Sequence, residues 1–172
     1  MWAARRADEL GADAARIGVM GKSAGGNLAA VVALMARDAQ DPSIRHQALL
    51  YPAIGTAGTE SRRVNADAFI LSNADMTKFG EYYAADSADW RYAPILAPSL
   101  AGLPPAITEV AEHDPLHDDG VLYVEALRDA GVAVELVNFP AMPHGFLNFP
   151  RFAKDGKRGI QAVIDSQGVA LA

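Results

Sequence analysis

Val19-Met20-Gly21-Lys22-Ser23-Ala24-Gly25-Gly26-Asn27-Leu28 is the stretch that decides the fold. A β-type apolar run, Arg16 to Met20, leads straight into Gly-x-Ser-x-Gly, and a helical pattern opens directly after it. Strand, very sharp turn and helix in that order are the context of a nucleophile elbow, which lifts a serine hydroxyl clear of the fold. The turn holds the serine backbone under strain, and Gly21 and Gly25 are expected to approach too closely for a Cβ on either. The helix starting near Ala24 aims its free N–H groups and positive dipole end at the serine, where a developing oxyanion would be stabilised. The pentapeptide alone fits an ordinary glycine-rich turn equally well. A phosphate loop ending at Gly21-Lys22-Ser23 does not fit, because that motif needs a glycine where this chain has Arg16.

Working outward, residues 2–10 read as the end of an amphipathic helix stopped by Gly11. The helix after the elbow, about Ala24–Asp38, shows a broad apolar face of Leu28, Val31, Val32 and Met35. Further strands are expected at Gln47–Tyr51, Pro105–Ala111 and Ala133–Phe139. Helices are expected at about Asp119–Ala130 and Arg158–Gln167. From Ala53 to Pro98 the pattern loosens, with one helix at about Met76–Ala84. This region reads as an insertion that could cover a site and not as part of the sheet. Strands alternating with helices indicate an α/β chain, with a mostly parallel sheet of about four strands flanked by helices.

A serine hydroxyl is a poor nucleophile at neutral pH and needs a base, which in turn needs an orienting group. Asp114 follows the third strand, in Ala111-Glu112-His113-Asp114-Pro115-Leu116. His144 follows the fourth, in Met142-Pro143-His144-Gly145-Phe146. Loops beyond the carboxyl ends of strands in an open α/β sheet converge on one edge, so Ser23, Asp114 and His144 are expected to meet there. Singly, an Asp-Pro is an ordinary turn and a His before Gly an ordinary surface histidine. Their joint occurrence, in the order Ser, Asp, His, points to acyl transfer. His46 sits at the wrong end of its strand, and His113 and His117 flank Asp114 too closely, so His144 is preferred as base.

These words together resemble the hormone-sensitive-lipase-like group of α/β-hydrolases, the bacterial esterases and acetyl hydrolases. The matching residues are Gly21 to Leu28, the Leu103-Pro104-Pro105 run, Asp114-Pro115-Leu116 with Asp118-Asp119-Gly120, and Phe139 with His144-Gly145-Phe146. The resemblance implies a serine carboxylesterase acting on short-chain esters through an acyl-enzyme, without a cofactor. It implies Ser23, His144 and Asp114 as catalytic residues, Ala24 N–H as an oxyanion donor, and no metal. Gly25, Phe79, Tyr83 and Phe146 are expected to contact substrate, and the region 53–98, with Phe69, Phe79, Tyr82 and Tyr83, to line or cover the acyl pocket, although ordinary core packing explains those aromatics equally well.

Two features depart from that group. Lys22 stands where similar enzymes usually carry an acidic residue. No His-Gly-Gly occurs, and the chain starts at the helix before the elbow strand, so residues 1–172 are expected to form one truncated hydrolase domain with an insertion at about 53–98. Weak activity follows, since losing one oxyanion donor costs about 3–4 kcal/mol of transition-state stabilisation. The rival expectation is a non-catalytic remnant or interaction module; a prolyl-oligopeptidase type of peptidase shares only the elbow. With the elbow strand at an exposed edge, a homo-oligomer is expected, burying more than about 1,000 Å² per contact.

Composition narrows the field further. The 172 residues carry a net charge of −6 with no run of like charges, which argues against nucleic acid and anionic membranes as partners. No apolar stretch is long enough to span a bilayer, and no secretory signal is visible. The chain has no cysteine, which excludes disulfides and thiolate metal sites and suits the cytoplasm.

Overall fold

The computed structural model describes residues 2–55 and 57–172. Four strands form one parallel sheet in the order β1-β2-β3-β4: β1 (Ile17–Lys22), β2 (Ile44–Leu50), β3 (Ala106–His113) and β4 (Val134–Pro143). Sequence order and spatial order coincide, as successive right-handed crossovers produce. The register sets Gly21 beside Leu49, Thr108 beside Leu49 and Leu136, and His113 beside Pro143. All four strands therefore end at one edge of the sheet.

Six helices accompany the sheet among the described residues. They are α1 (Trp2–Arg5), α2 (Ala24–Ala39), α3 (Glu60–Val64), α4 (Asn73–Tyr83), α5 (His117–Asp129) and α6 (Gly156–Ala170). Side chains alternate across a strand, and the two faces bury different helices. On one face, Ala29, Ala30, Ala33 and Leu34 of α2 join Leu49 and the Tyr123 and Leu127 side chains of α5. On the other, Val163 of α6 packs with Ala48, Leu50, Ile107, Ala111 and Phe139. A parallel sheet covered on both faces is the expected arrangement, and its strands carry the corresponding apolar residues.

The helix after the elbow is rotated from the expected face. Its buried residues are Gly26, Ala29, Ala30, Val31, Ala33, Leu34 and Ala36, while Leu28, Val32 and Met35 are about half exposed. Two apolar stripes run along α2, and the stripe of small residues faces the sheet because it lets the helix backbone come close. Gly26 illustrates the distance: a Cβ there would lie 2.8 Å from Cβ of Pro52.

β1 is an edge strand, and Met20 points outward from it, 60% exposed. The end of α6 lies against this strand: Gln167 Nε2 donates to the Val19 carbonyl at 3.5 Å, and a Cβ on Gly18 would lie 3.3 Å from both the Gln167 and the Leu171 side chains. Most bounds differ from the expected ones by one to four residues, most of all β4, which continues through Pro143, and the helix expected over residues 2–10 is only α1 followed by a 3-10 turn at Asp8–Leu10. The stretch 53–98 contributes α3, α4 and a 3-10 turn at Pro94–Leu96, and none of its described residues joins the sheet. Helix α3 was not legible in the sequence, being only five residues long.

Arg62 of α3 explains how that stretch is fastened. Its guanidinium donates to the fully buried carboxylate of Asp119 at 3.1 Å, and the same carboxylate accepts the N–H of Ile54 at 3.0 Å. A buried charge held by an opposite charge and backbone donors is the arrangement that offsets its desolvation. Asn27 of α2 adds a second clasp, donating to the carbonyls of Ala53 and Tyr92 at 2.7 Å each.

Candidate active site

Ser23 follows β1 directly and precedes the first residue of α2, with φ 56° and ψ −122°. A non-glycine residue with positive φ costs on the order of 1–3 kcal/mol and persists only where its surroundings hold it. Here the Ser23 N–H donates to the Leu50 carbonyl at 2.9 Å, completing the β1–β2 ladder. Its own carbonyl accepts the N–H groups of Gly26, Asn27 and Ala53. The backbone is thus bound from both sides, and the side chain is left to project from the turn.

The expected pair of close glycines is half right. A Cβ on Gly21 would overlap the Gly25 carbonyl group, but a Cβ on Gly25 would meet nothing within 4 Å. The approach is made by the Gly25 backbone onto Gly21, so only the Gly21 side needs to be bare. The second bare position is Gly26, which packs on Pro52.

Asp114 is the first residue past β3 and is fully buried. One carboxylate oxygen accepts the Leu116 N–H at 2.8 Å, bracing the turn into α5. The other accepts the Nδ1–H of His144 at 2.6 Å. His144 is the first residue past β4, and its Nε2 accepts the Ser23 hydroxyl at 3.0 Å. An ionised carboxylate only accepts, so it selects the tautomer in which Nδ1 carries the proton and Nε2 is free to take another. Ser23, His144 and Asp114 are therefore joined by an unbroken line of hydrogen bonds.

Tyr51, not singled out in the sequence, completes the support of the imidazole. It follows β2 with φ 38°, its N–H donates to the Glu109 carbonyl at 2.6 Å, and its ring meets the His144 ring edge-on with centroids 5.0 Å apart. Burial, with the charges of Glu109 and Asp114, pushes the Tyr51 hydroxyl far above its ordinary pKa, so the ring stays neutral. The only sequence signal for Tyr51 is its place as the last residue of an expected strand, at the edge where the site forms.

The remaining candidates divide between the elbow and positions away from it. Ala24 opens α2, where its N–H has no intrahelical acceptor. Phe146 is buried beneath the histidine, its ring 4.8 Å from that of Phe139 and 5.8 Å from that of Tyr51. Phe79 and Tyr83 lie exposed on α4, and Tyr83 packs on Tyr92. A cavity of about 290 Å³ adjoins His144, lined also by Asn65, Ala68, Phe69, Ile70, Leu71, His113 and Pro143. None of Gly25, Phe79, Tyr83 and Phe146 lines it. Two of the competing histidines are engaged away from the serine, His46 with Ser166 and His117 with Asp118, while His113 lines the cavity beside His144. Among the described residues no group of three or more acidic, histidine or cysteine side chains is placed to hold a metal, and no helix is long and apolar enough to cross a membrane.

The chain belongs to the alpha/beta hydrolase fold family, whose model matches residues 1–148. Within it, the resemblance to the hormone-sensitive-lipase-like esterases holds. The carboxylesterase NlhH of Mycobacterium tuberculosis is 44% identical over 173 residues, covering 94% of this chain and 54% of that protein. An ethyl acetate hydrolase of Pseudomonas putida is 32% identical over 170 residues, covering 96% and 54% respectively. An esterase of Pyrobaculum calidifontis, solved as a structure, superposes with a TM-score of 0.93 at 38% identity, covering 99% of this chain and 58% of that one. The chain thus spans about half the length of the curated relatives it matches.

Proposed function

We propose that this chain carries the triad of a serine carboxylesterase that hydrolyses short-chain esters through an acyl-enzyme. Ser23 Oγ attacks the ester carbonyl while its proton passes to His144 Nε2, and Asp114 stabilises the imidazolium that forms. The tetrahedral oxyanion is received by the Ala24 N–H at the positive end of α2. His144 then protonates the leaving alcohol, and water activated by the same imidazole hydrolyses the acyl-enzyme. These side chains suffice for the chemistry without a cofactor. The leaving oxygen must lie against His144 to receive its proton, so the cavity adjoining that residue is assigned to the alcohol portion.

The observation that carries this reading is the hydrogen-bond line Ser23–His144–Asp114 on a strained elbow at a helix N-terminus. With no His-Gly-Gly in these residues, Ala24 is the one donor identified, and turnover by this chain alone is expected to be weak. The absence of cysteine supports a cytoplasmic setting. Self-association is part of the same proposal, supported by the edge position of β1 and the exposed Leu28, Val32 and Met35. Light scattering at micromolar concentration tests it, and a monomer throughout that range excludes it.

Labelling with a fluorophosphonate tests the chemistry. The reagent is expected to modify Ser23, and Ser23→Ala is expected to abolish both labelling and hydrolysis of p-nitrophenyl acetate. A folded protein whose Ser23 stays unlabelled is the result expected of a non-catalytic interaction module.

A further inference from the structure

The two loops that carry the serine and the histidine start from opposite edges of the sheet. β1 and β4 are separated by two strands, a span of about 14 Å at the usual strand spacing. The segment after β4 begins with His144, whose ring reaches Ser23, and runs on across the sheet towards β1. Gly145, at φ 71°, turns the chain, and a 3-10 turn at Phe146–Asn148 lays it back over the sheet. Phe146 and Leu147 anchor the turn from below, Phe146 on Phe139 and Tyr51, Leu147 in the same core cluster and beside Gly159. Its far end, Asn148, is exposed.

That exposed end meets the residue immediately before the nucleophile. Lys22 Nζ donates a hydrogen bond to Asn148 Oδ1. Apart from Ser23–His144 itself, it is the one hydrogen bond among the described residues that joins the elbow to the segment 143–149. The donor is a full cation and the acceptor an amide oxygen, the stronger class of side-chain hydrogen bond.

From this juxtaposition we propose that Lys22 and Asn148 are positioning residues: their link holds the histidine loop against the elbow and keeps His144 Nε2 within proton-transfer reach of Ser23 Oγ. The proposal rests on the acyl-transfer reading above. Neither residue touches the reacting atoms in this arrangement. They act on the fraction of time the Ser23–His144 bond is made, so they bear on kcat and leave substrate binding alone.

The test compares Asn148→Ala, Lys22→Met, the double variant and Lys22→Arg with the parent chain in hydrolysis of p-nitrophenyl acetate. Each of the first two is expected to lower kcat about 3- to 10-fold, the range one side-chain hydrogen bond supports, with KM within about 2-fold. The double variant is expected to be no slower than the slower single one, because both substitutions break the same link. Lys22→Arg is expected to retain most of kcat, since a guanidinium still donates. Unchanged kcat in Asn148→Ala, losses that multiply in the double variant, or a loss confined to KM overturns the proposal. A parent chain that neither turns over nor labels at Ser23 overturns the underlying reading instead, and the proposal with it. Both side chains are exposed, so thermal melting of every variant is expected to match the parent, which separates positioning from folding.

Discussion

Gly21 lies so close to Gly25 that a Cβ on Gly21 would overlap the Gly25 carbonyl, whereas a Cβ on Gly25 would enter open space. Two glycines that look equivalent in Gly-x-Ser-x-Gly are therefore predicted to respond in opposite ways. Gly21→Ala forces backbone against backbone and is expected to cost about 3 kcal/mol or more. Gly25→Ala sits in the first turn of α2 and is expected to leave stability unchanged or raise it by up to about 1 kcal/mol. Urea unfolding of the two variants decides the matter; equal destabilisation would contradict the geometry.

Glu109 sets the dependence of stability on pH. It stands on β3, fully buried, with neither carboxylate oxygen hydrogen-bonded among the described residues. Its face is that of α6, where a Cβ on Gly159 would lie 3.0 Å from Oε2. Burial pushes its pKa up to about 8, against the opposing pull of Arg158 and with a smaller push from Glu135. The folded state therefore keeps a proton that the unfolded chain releases near pH 4.5. Stability is expected to fall as pH rises from about 4.5 to about 8 and to level off above, a loss on the order of 5 kcal/mol. Glu109→Gln is expected to remove this slope. Urea midpoints at pH 5.5, 7 and 8.5 measure it, and parallel profiles for parent and variant would exclude Glu109 as the source.

Asp114 has two tasks, one for each oxygen, and substitution can separate them. Asn at this position keeps an acceptor for the Leu116 N–H but loses the negative charge that stabilises an imidazolium. Asp114→Asn is expected to fold with little loss of stability and to lower kcat by about 10³- to 10⁴-fold. Asp114→Ala loses the brace as well and is expected to be destabilised in addition. A kcat for Asp114→Asn within 10-fold or so of the parent would remove Asp114 from the proposed mechanism.

The cavity beside His144 yields a prediction about substrate shape. Its lining is mostly apolar, and about 290 Å³ exceeds what an ethoxy group fills. Benzyl acetate, whose leaving alcohol is about as poor a leaving group as ethanol, is expected to be hydrolysed with a higher kcat/KM than ethyl acetate. Ala68→Trp, which fills the cavity from one wall, is expected to remove most of that advantage while sparing ethyl acetate. An equal loss on both esters would show that the alcohol portion goes elsewhere.

Much of this molecule is legible in the linear chain, because it depends on neighbours in sequence. The elbow is one local unit: the strand residues, Gly21, Ser23 and the start of α2 are contiguous, and their turn chemistry has few solutions. The sheet is legible because β-α alternation allows short crossovers of one hand. Asp114 and His144 follow from the same rule, each lying in the loop expected after its strand, although only the structure shows each to be the first residue past it.

Tertiary packing decided everything in which two stripes, two glycines or two distant residues compete. Periodicity reveals that α2 is apolar along Leu28, Val32 and Met35 and also along Ala29, Ala33 and Ala36, but only close approach to the sheet selects the small residues for burial. The edge-on contact of Tyr51 with His144, the burial of Glu109 without a hydrogen bond to its carboxylate, and the grip of Arg62 on Asp119 join residues 57 or more apart, or depend on what lies above them in the core. The link between Lys22 and Asn148 spans 126 positions and exists because the chain after β4 crosses the whole sheet. No local preference encodes such pairs, since each forms only after hydrophobic burial has set the strands side by side.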